Sequence, residues 1–397
     1  LSAVFSLLAV WGQASQVGTV VTWEDHGPLE RLLQVGYGLA YYPSRTLVPL
    51  GLSPIHELPE SIRISEWRFA ASALAVSALT SVLVMLRRRL PGALAAWIAF
   101  AALASPVLGL FQRGPQLVAD RYAYLACLPF ALLAGGALAR ARRPGRALAC
   151  ACVWIALAVP ATWRYARAWR SSSALWEHAV RVEPGSPMSL MSLAVARARE
   201  AAAEPDPALA RSILDEAEEL LSRARRLSDD PRILGNLGRV RGQRAELEPE
   251  RRGELLLESV ALAREALAAA TEQHVLLPEY QLALGIALAS AGQLEQALEH
   301  LEQAVGAAPD DVEARLALAS AFLALGRPAE AAPHLELAVR LAPESVPAWR
   351  RLGEAREAIG LRAAAQRAWQ RVLELAPGHA RARERLDALR AGASAEE

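Results

Sequence analysis

The densest group of side chains able to hold a charged ligand lies in Ser105–Leu125, SPVLGLFQRGPQLVADRYAYL. It brings Gln112, Arg113, Gln116, Asp120 and Arg121 close together in sequence, with Tyr122 and Tyr124 beside the Asp-Arg pair. A guanidinium is a planar fork of donors that matches phosphate oxygens two at a time. Arg121 and Arg113, with Asp120 and Tyr122, are therefore candidates for a phosphate site. The segment opens an apolar run, and ionisable groups entering a membrane are costly enough to be functional candidates. The alternative is that they only anchor a helix end at the interface. A second cluster, Glu24-Asp25-His26, reads as a solvated loop rather than an acid/base pair. The sequence has no phosphate-binding Gly loop, nucleophile elbow or metal-binding His pair.

These residues sit in a chain of two contrasting halves. Of 397 residues, 53% are hydrophobic and the net charge is +1. The apolar runs concentrate before residue 164, whereas Ala, Leu, Glu and Arg dominate after 171. Neither half is strongly basic, which argues against nucleic-acid partners. Cys127, Cys150 and Cys152 lie inside apolar runs without metal spacing, so neither a disulfide framework nor a zinc site is expected. The basic residues are all Arg and Asn236 is the only Asn, a bias that suggests a GC-rich bacterial genome. The chain opens in mid-run at Leu1 without a basic leader, as expected of a piece of a longer protein.

Four runs have the composition of membrane spans: Phe69–Leu86, Pro91–Phe111, Ala123–Ala139 and Ala147–Trp163. Arg87–Arg89 and the Arg140–Arg146 cluster are separated by two of them, so both clusters share one side. The positive-inside rule makes that side cytoplasmic, which places 112–122 and everything after Trp163 outside. Before residue 68 the reading is a partial span over Leu1–Val21 and an amphipathic interfacial helix over Leu29–Leu50, broken at Pro43. A surface loop over Pro49–Pro59 follows.

From residue 278 a 34-residue period is plain. Leu284-Gly285, Leu318-Ala319 and Leu352-Gly353 occupy equivalent positions, as do Ala297, Ala331 and Ala365. So do Leu301, Leu335 and Trp369, and then Pro309, Pro343 and Pro377. Small residues let paired helices approach and the Pro stops the second helix, which is the tetratricopeptide pattern. Two looser repeats, Ser186–Asp230 and Pro231–Leu277, precede these. The half repeat Ser172–Pro184 joins them to the last span, and a polar helix Ala380–Arg390 caps the array. The groove of first helices would present Glu279, Leu282 and Ile286, then Glu313, Leu316 and Ser320, then Arg350, Glu354 and Glu357. Such a groove binds peptides or proteins, although a plain solvated face would show the same residues.

Three segments together are similar to the transmembrane and tetratricopeptide-repeat O-mannosyltransferases and their bacterial relatives. They are PVLGLFQRGPQLVADRYAYL, the tyrosine-rich run Leu33–Pro49 with Tyr42, Arg45, Thr46 and Leu47, and WRSSSALWEHAVRVEP at 169–184. Val48 stands where the family has Trp, and Gly36 where Asn is common. The resemblance implies a multi-spanning glycosyltransferase of the GT-C type that draws on a polyprenyl-phosphate sugar. It implies a catalytic acid in an early outward loop that this chain lacks, so the catalytic residue itself would lie upstream. It implies no cofactor held by this chain, and says nothing about a divalent metal.

The expectation is thus an all-α chain in four parts. Residues 1–67 form a partial span with an outward amphipathic and loop region, and 68–170 form four spans and a junction. Residues 171–390 form the repeat array, and 391–397 a disordered tail. The protein is expected in a bacterial inner membrane with its repeats outside. The expected partners are membrane lipid, a lipid-linked sugar, and a protein or peptide in the groove. A non-catalytic membrane-anchored scaffold and an O-antigen ligase or polymerase are the competing readings.

Overall fold

The computed structural model describes residues 27–59, 61–109, 116–273, 275 and 277–391. The expected partial span Leu1–Val21, the Glu24-Asp25-His26 cluster, Gln112, Arg113 and the tail from 392 lie outside the described residues. Two compact units divide the chain: residues 1–200 with 219–228, and 201–218 with 229–397. The division falls at Pro187–Ala203 and Pro207–Arg225.

In the first unit, α1 (Pro28–Leu47) packs on α2 (Trp67–Met85), and α3 (Pro91–Ala104) follows. Proline at the first helical position suits both α1 and α3, because the N–H it lacks has no intrahelical partner there. The helix α1 runs through Pro43 and is not broken by it. Two short strands, β1 (His56–Glu57) and β2 (Gln116–Val118), pair antiparallel, with His56 opposite Val118. The stretch Pro49–Pro59, expected as a surface loop, is thus partly a strand, and Ser53 and His56 are buried in it. Tyr42, Phe69 and Phe100 are the fully enclosed centre of a core that also takes in Leu33, Trp97 and Leu117.

The four expected spans are not all continuous. By length and apolarity α2 and the long helix Pro144–Ala168 can each cross a membrane. The third run is bent by 51° between Asp120–Ala126 and Leu128–Ala139. The break falls where Pro129 enters, a residue that cannot donate to the turn before it. The run from Pro91 is short: it tightens at Ser105–Val107, where Pro106 ends the helix. Large apolar side chains stand outward on the two full-length helices, Leu74 (72% exposed) and Leu157 (73% exposed) among them.

The first unit continues into α7 (Ser172–Val182), counting Ala123–Ala126, Leu128–Ala139 and Pro144–Ala168 as α4, α5 and α6. Helices α8 and α9 are Pro187–Ala203 and Pro207–Arg225. The second unit then stacks α10 (Pro231–Leu247) on α11 (Arg252–Glu272), α12 (Pro278–Ser290) on α13 (Leu294–Ala307) and α14 (Val312–Ala324) on α15 (Pro328–Leu341). The pair α16 (Val346–Ala358) and α17 (Arg362–Leu375) follows, and α18 (Ala380–Ala391) closes the stack.

Each of the last three pairs turns on a glycine at one repeat position, Gly292, Gly326 and Gly360, with φ of 79°, 70° and 80°. Only glycine takes that left-handed conformation without a steric cost, so the turn residue is dictated by the backbone. Asp311 and Ser345 cap the following first helices through their side-chain oxygens. The expected small-to-large packing is present: Ala297, Ala331, Leu301 and Leu335 are fully buried in one continuous core.

Candidate functional site

The three sequence segments that carry the family resemblance meet in the first unit. Tyr41 comes from the tyrosine-rich helix, Asp120 from the Asp-Arg-Tyr segment and Glu183 from the junction into the repeats. The Tyr41 hydroxyl donates to Asp120 Oδ1 at 2.7 Å and lies 2.7 Å from His56 Nε2. His56 Nδ1 is in turn bound to the Glu183 carboxylate. The Ser53 backbone N–H donates to the other oxygen of Asp120 at 2.6 Å. Burial, and after it the Asp120 charge, push the Tyr41 hydroxyl far above its ordinary range, so it remains a donor at physiological pH.

Three hydrogen bonds in this chain need three protons. Tyr41 supplies one and a neutral imidazole one, so the third sits on the ring or on a carboxyl group. Next along the loop, Glu57 Oε2 accepts from the Ser186 hydroxyl at 2.7 Å and from the Met188 N–H at 3.4 Å. It thereby occupies the N-terminus of α8, where a negative charge is favoured. His178 lies 2.9 Å from the Leu52 carbonyl.

Arg121 does not pair with Asp120, although the two are adjacent. Asp120 turns inward and is 9% exposed, whereas Arg121 is exposed. The guanidinium donates to the Pro54 carbonyl at 3.0 Å and to Gln116 Oε1 at 2.9 Å, and it lies 4.9 Å from the centre of the Tyr122 ring. The Tyr122 hydroxyl closes the group by accepting from Gln116 Nε2 at 2.9 Å. All of these acceptors are neutral, and Arg121 has no carboxylate partner among the described residues. Its orientation is fixed and its charge uncompensated. Among the described residues no three His, Cys, Asp or Glu side chains form a metal-ligand group.

In the second unit a cleft of about 380 Å³ opens between α10, α12 and the start of α14. Four of the sequence-derived groove residues line it: Glu279, Leu282, Ile286 and Glu313. The other five do not. Ser320 bonds back to the Leu316 carbonyl at 2.5 Å. Arg350 and Glu354 pair at 2.8 Å, and Glu354 also reaches Arg381. Glu357 is taken up by the Trp369 indole and by Arg385, so it secures the cap.

Sequence reasoning missed His56, Glu183, Ser53 and Glu57, whose partners lie up to 131 residues away. It also missed three glycines of α10, Gly235, Gly238 and Gly242, which line the cleft at helical spacing. The available signal was their cost. A helix-interior glycine destabilises by about 1 kcal/mol relative to Ala, so three in one helix call for a reason.

Residues 282–346 match the tetratricopeptide repeat family. Among solved structures, the chain is similar to a thermophilic tetratricopeptide-repeat protein of Thermus thermophilus. The identity is 20% over 51% of this chain and 98% of that one, with a TM-score of 0.38. It is also similar to YrrB, described as a repeat protein with an unusual peptide-binding site, at 18% identity over 53% and 97%, TM-score 0.35. A third is the first repeat domain of Spaghetti (RPAP3) bound to an HSP90 peptide, at 26% identity over 30% and 93%, TM-score 0.29. Among curated proteins none matches the sequence.

Proposed function

We propose that the chain is part of a membrane glycosyltransferase of the GT-C type, related to the O-mannosyltransferases it resembles. It draws a sugar from a polyprenyl-phosphate donor and serves a protein acceptor held by the tetratricopeptide repeats. The observation that carries this reading is the uncompensated Arg121 guanidinium, held in place by neutral acceptors beside exposed Tyr124 and Leu125. A donor of this class has a phosphate next to a long apolar chain, and a fixed guanidinium at the start of an apolar helix suits both parts. The outward Leu and Val side chains of α2 and α6 support a membrane setting, with the repeats outside a bacterial inner membrane.

A second reading has its own support. Asp120, Tyr41, His56 and Glu183 are occupied with one another, which suits a non-catalytic membrane-anchored scaffold.

In the full-length protein, which would carry the expected upstream catalytic loop, sugar transfer from a polyprenyl-phosphate donor, normalised to folded protein, decides between them. Loss of a desolvated charge-assisted contact costs about 2–5 kcal/mol. Arg121→Ala should therefore lower donor use by roughly 30-fold or more, with about 1.4 kcal/mol per tenfold. Arg121→Lys recovers only part, because Lys lacks the fork. Unchanged donor dependence in Arg121→Ala overturns the donor site and leaves the scaffold.

A further inference from the structure

The cleft of the second unit has a shape of its own and, in Glu246, Glu279 and Glu313, a charge that no ion pair among the described residues takes up, while Asp311 in its wall caps α14. Among the described residues that line it, Glu246, Glu279, Asp311 and Glu313 stand against one cation, Arg239, and Glu279 also feels the charge of Arg232 outside the lining. Several other glutamates of the unit are neutralised by arginines: Glu218 by Arg241 and Arg244, Glu330 by Arg327, Glu336 by Arg356. Glu246, Glu279 and Glu313 are exposed and make no such pair among the described residues. Clustered charge of one sign beside an apolar wall raises the local concentration of its counter-ion.

The glycines of α10 supply a second, independent observation. Packing explains Gly238, where a Cβ would stand 3.1 Å from the Ser259 carbonyl. It does not explain the other two. A Cβ at Gly235 would meet nothing within 4 Å, and one at Gly242 only the Ser259 hydroxyl at 3.6 Å, an ordinary contact. Any side chain at these two positions would favour the helix and would fill the cleft. Their absence keeps one wall at the level of the backbone, leaving room for another main chain to approach closely. The opposite wall is apolar, formed by Leu282, Ile286 and Ala287. Gln243, on the same helix, holds a buried amide oxygen with no partner among the described residues, an acceptor for a donor on the occupant.

We infer that this cleft binds an extended, cationic segment of a partner protein, one or two Arg or Lys side chains meeting Glu279 and Glu313 while its main chain lies along Gly235 and Gly242. The inference rests on the proposed function only in that the repeats hold protein, and it requires no sugar transfer. The test is direct binding to the full-length chain in neutral detergent. The probe is a fluorescein-labelled twelve-residue peptide of Ser, Gly and Leu carrying three arginines, beside versions with Gln or Glu in their place. The arginine peptide should bind at least tenfold tighter than the Gln version, and rising salt should weaken it. Glu279→Gln with Glu313→Gln should lower its affinity by tenfold or more. Gly235→Leu should do the same while leaving the thermal midpoint unchanged or higher, which separates a filled cleft from a damaged fold. Equal binding of the three peptides, tighter binding of the Glu version, or undiminished binding by Gly235→Leu overturns the inference. Each of these results is read without donor or transfer, so a failed Arg121 experiment leaves it standing and the reverse also holds.

Discussion

Tyr41 and Asp120 are 79 residues apart in sequence and 2.7 Å apart in the fold, joined by a hydrogen bond whose donor is the tyrosine hydroxyl. Asp120 has one further partner, the Ser53 N–H. Tyr41→Phe removes a donor from a buried carboxylate and leaves His56 Nε2 without its neighbour. A buried group stripped of its partner costs about 1–3 kcal/mol. The variant should unfold at a lower temperature than the parent in the same detergent, with the loss reduced when Asp120→Asn is combined with it. An unchanged midpoint for Tyr41→Phe would mean the bond contributes nothing.

The same substitution at two glycines should act in opposite directions. A Cβ at Gly353 would stand 2.8 Å from Trp369 Cε2, and that indole is fully buried and tied to Glu357. Gly353→Ala should destabilise by about 1–3 kcal/mol, the usual cost of overpacking. Gly235→Ala, in open space, should gain up to about 1 kcal/mol from helix propensity. Thermal midpoints that shift in the same direction would contradict this account of the two sites.

His334 gives the second unit a dependence on pH. Burial, and then the neighbouring Arg315, hold its imidazole below the ordinary value of 6.5, and it stacks on Phe322. The unfolded chain therefore binds the proton more readily than the folded one. Stability from this site is full above pH 6.5 and declines as pH falls from there towards the folded value. Comparing the melting temperatures of the parent and His334→Gln from pH 8 to pH 5 isolates it. The parent should lose more than the variant below pH 6.5, and parallel curves would remove His334 as the cause.

The orientation proposed above can be read with a fusion. It rests on the two apolar runs between Arg87–Arg89 and Arg140–Arg146, and the positive-inside rule then predicts both clusters in the cytoplasm and the C-terminus outside. Alkaline phosphatase joined after Glu397 should be active in a bacterial host. Activity of a cytoplasmic reporter at the same point, with silent phosphatase, would invert the orientation.

The repeats were legible because local rules fix them: a recurring Ala or Gly, a large apolar partner and a closing Pro at one period. Glu279, Leu282, Ile286 and Glu313 followed from that period alone. Glu357 did not, since its role depends on Trp369 and Arg385, which reach it from outside its own helix. The apolar runs showed composition but not continuity. Pro106 and Pro129 stop hydrogen bonding locally, and a window average smooths over both. The network of Tyr41, His56, Asp120 and Glu183 was illegible for another reason. Its bonds span 15, 79 and 127 positions, and no pattern within one segment records a contact with another. The inward turn of Asp120 beside an outward Arg121 is likewise a property of backbone path, not of residue type.

Glu57 sits at the start of the first full repeat, while His56 beside it holds the half repeat that comes before. Repeat arrays are commonly treated as detachable parts, free to be cut away or spliced onto another protein. Here the first helices of the array depend on two side chains that the chain lays down more than a hundred residues earlier. A graft that took the repeats from residue 171 onward would leave Ser186 and Glu183 without those partners. The transplantable piece begins later, among helices that answer only to their own neighbours.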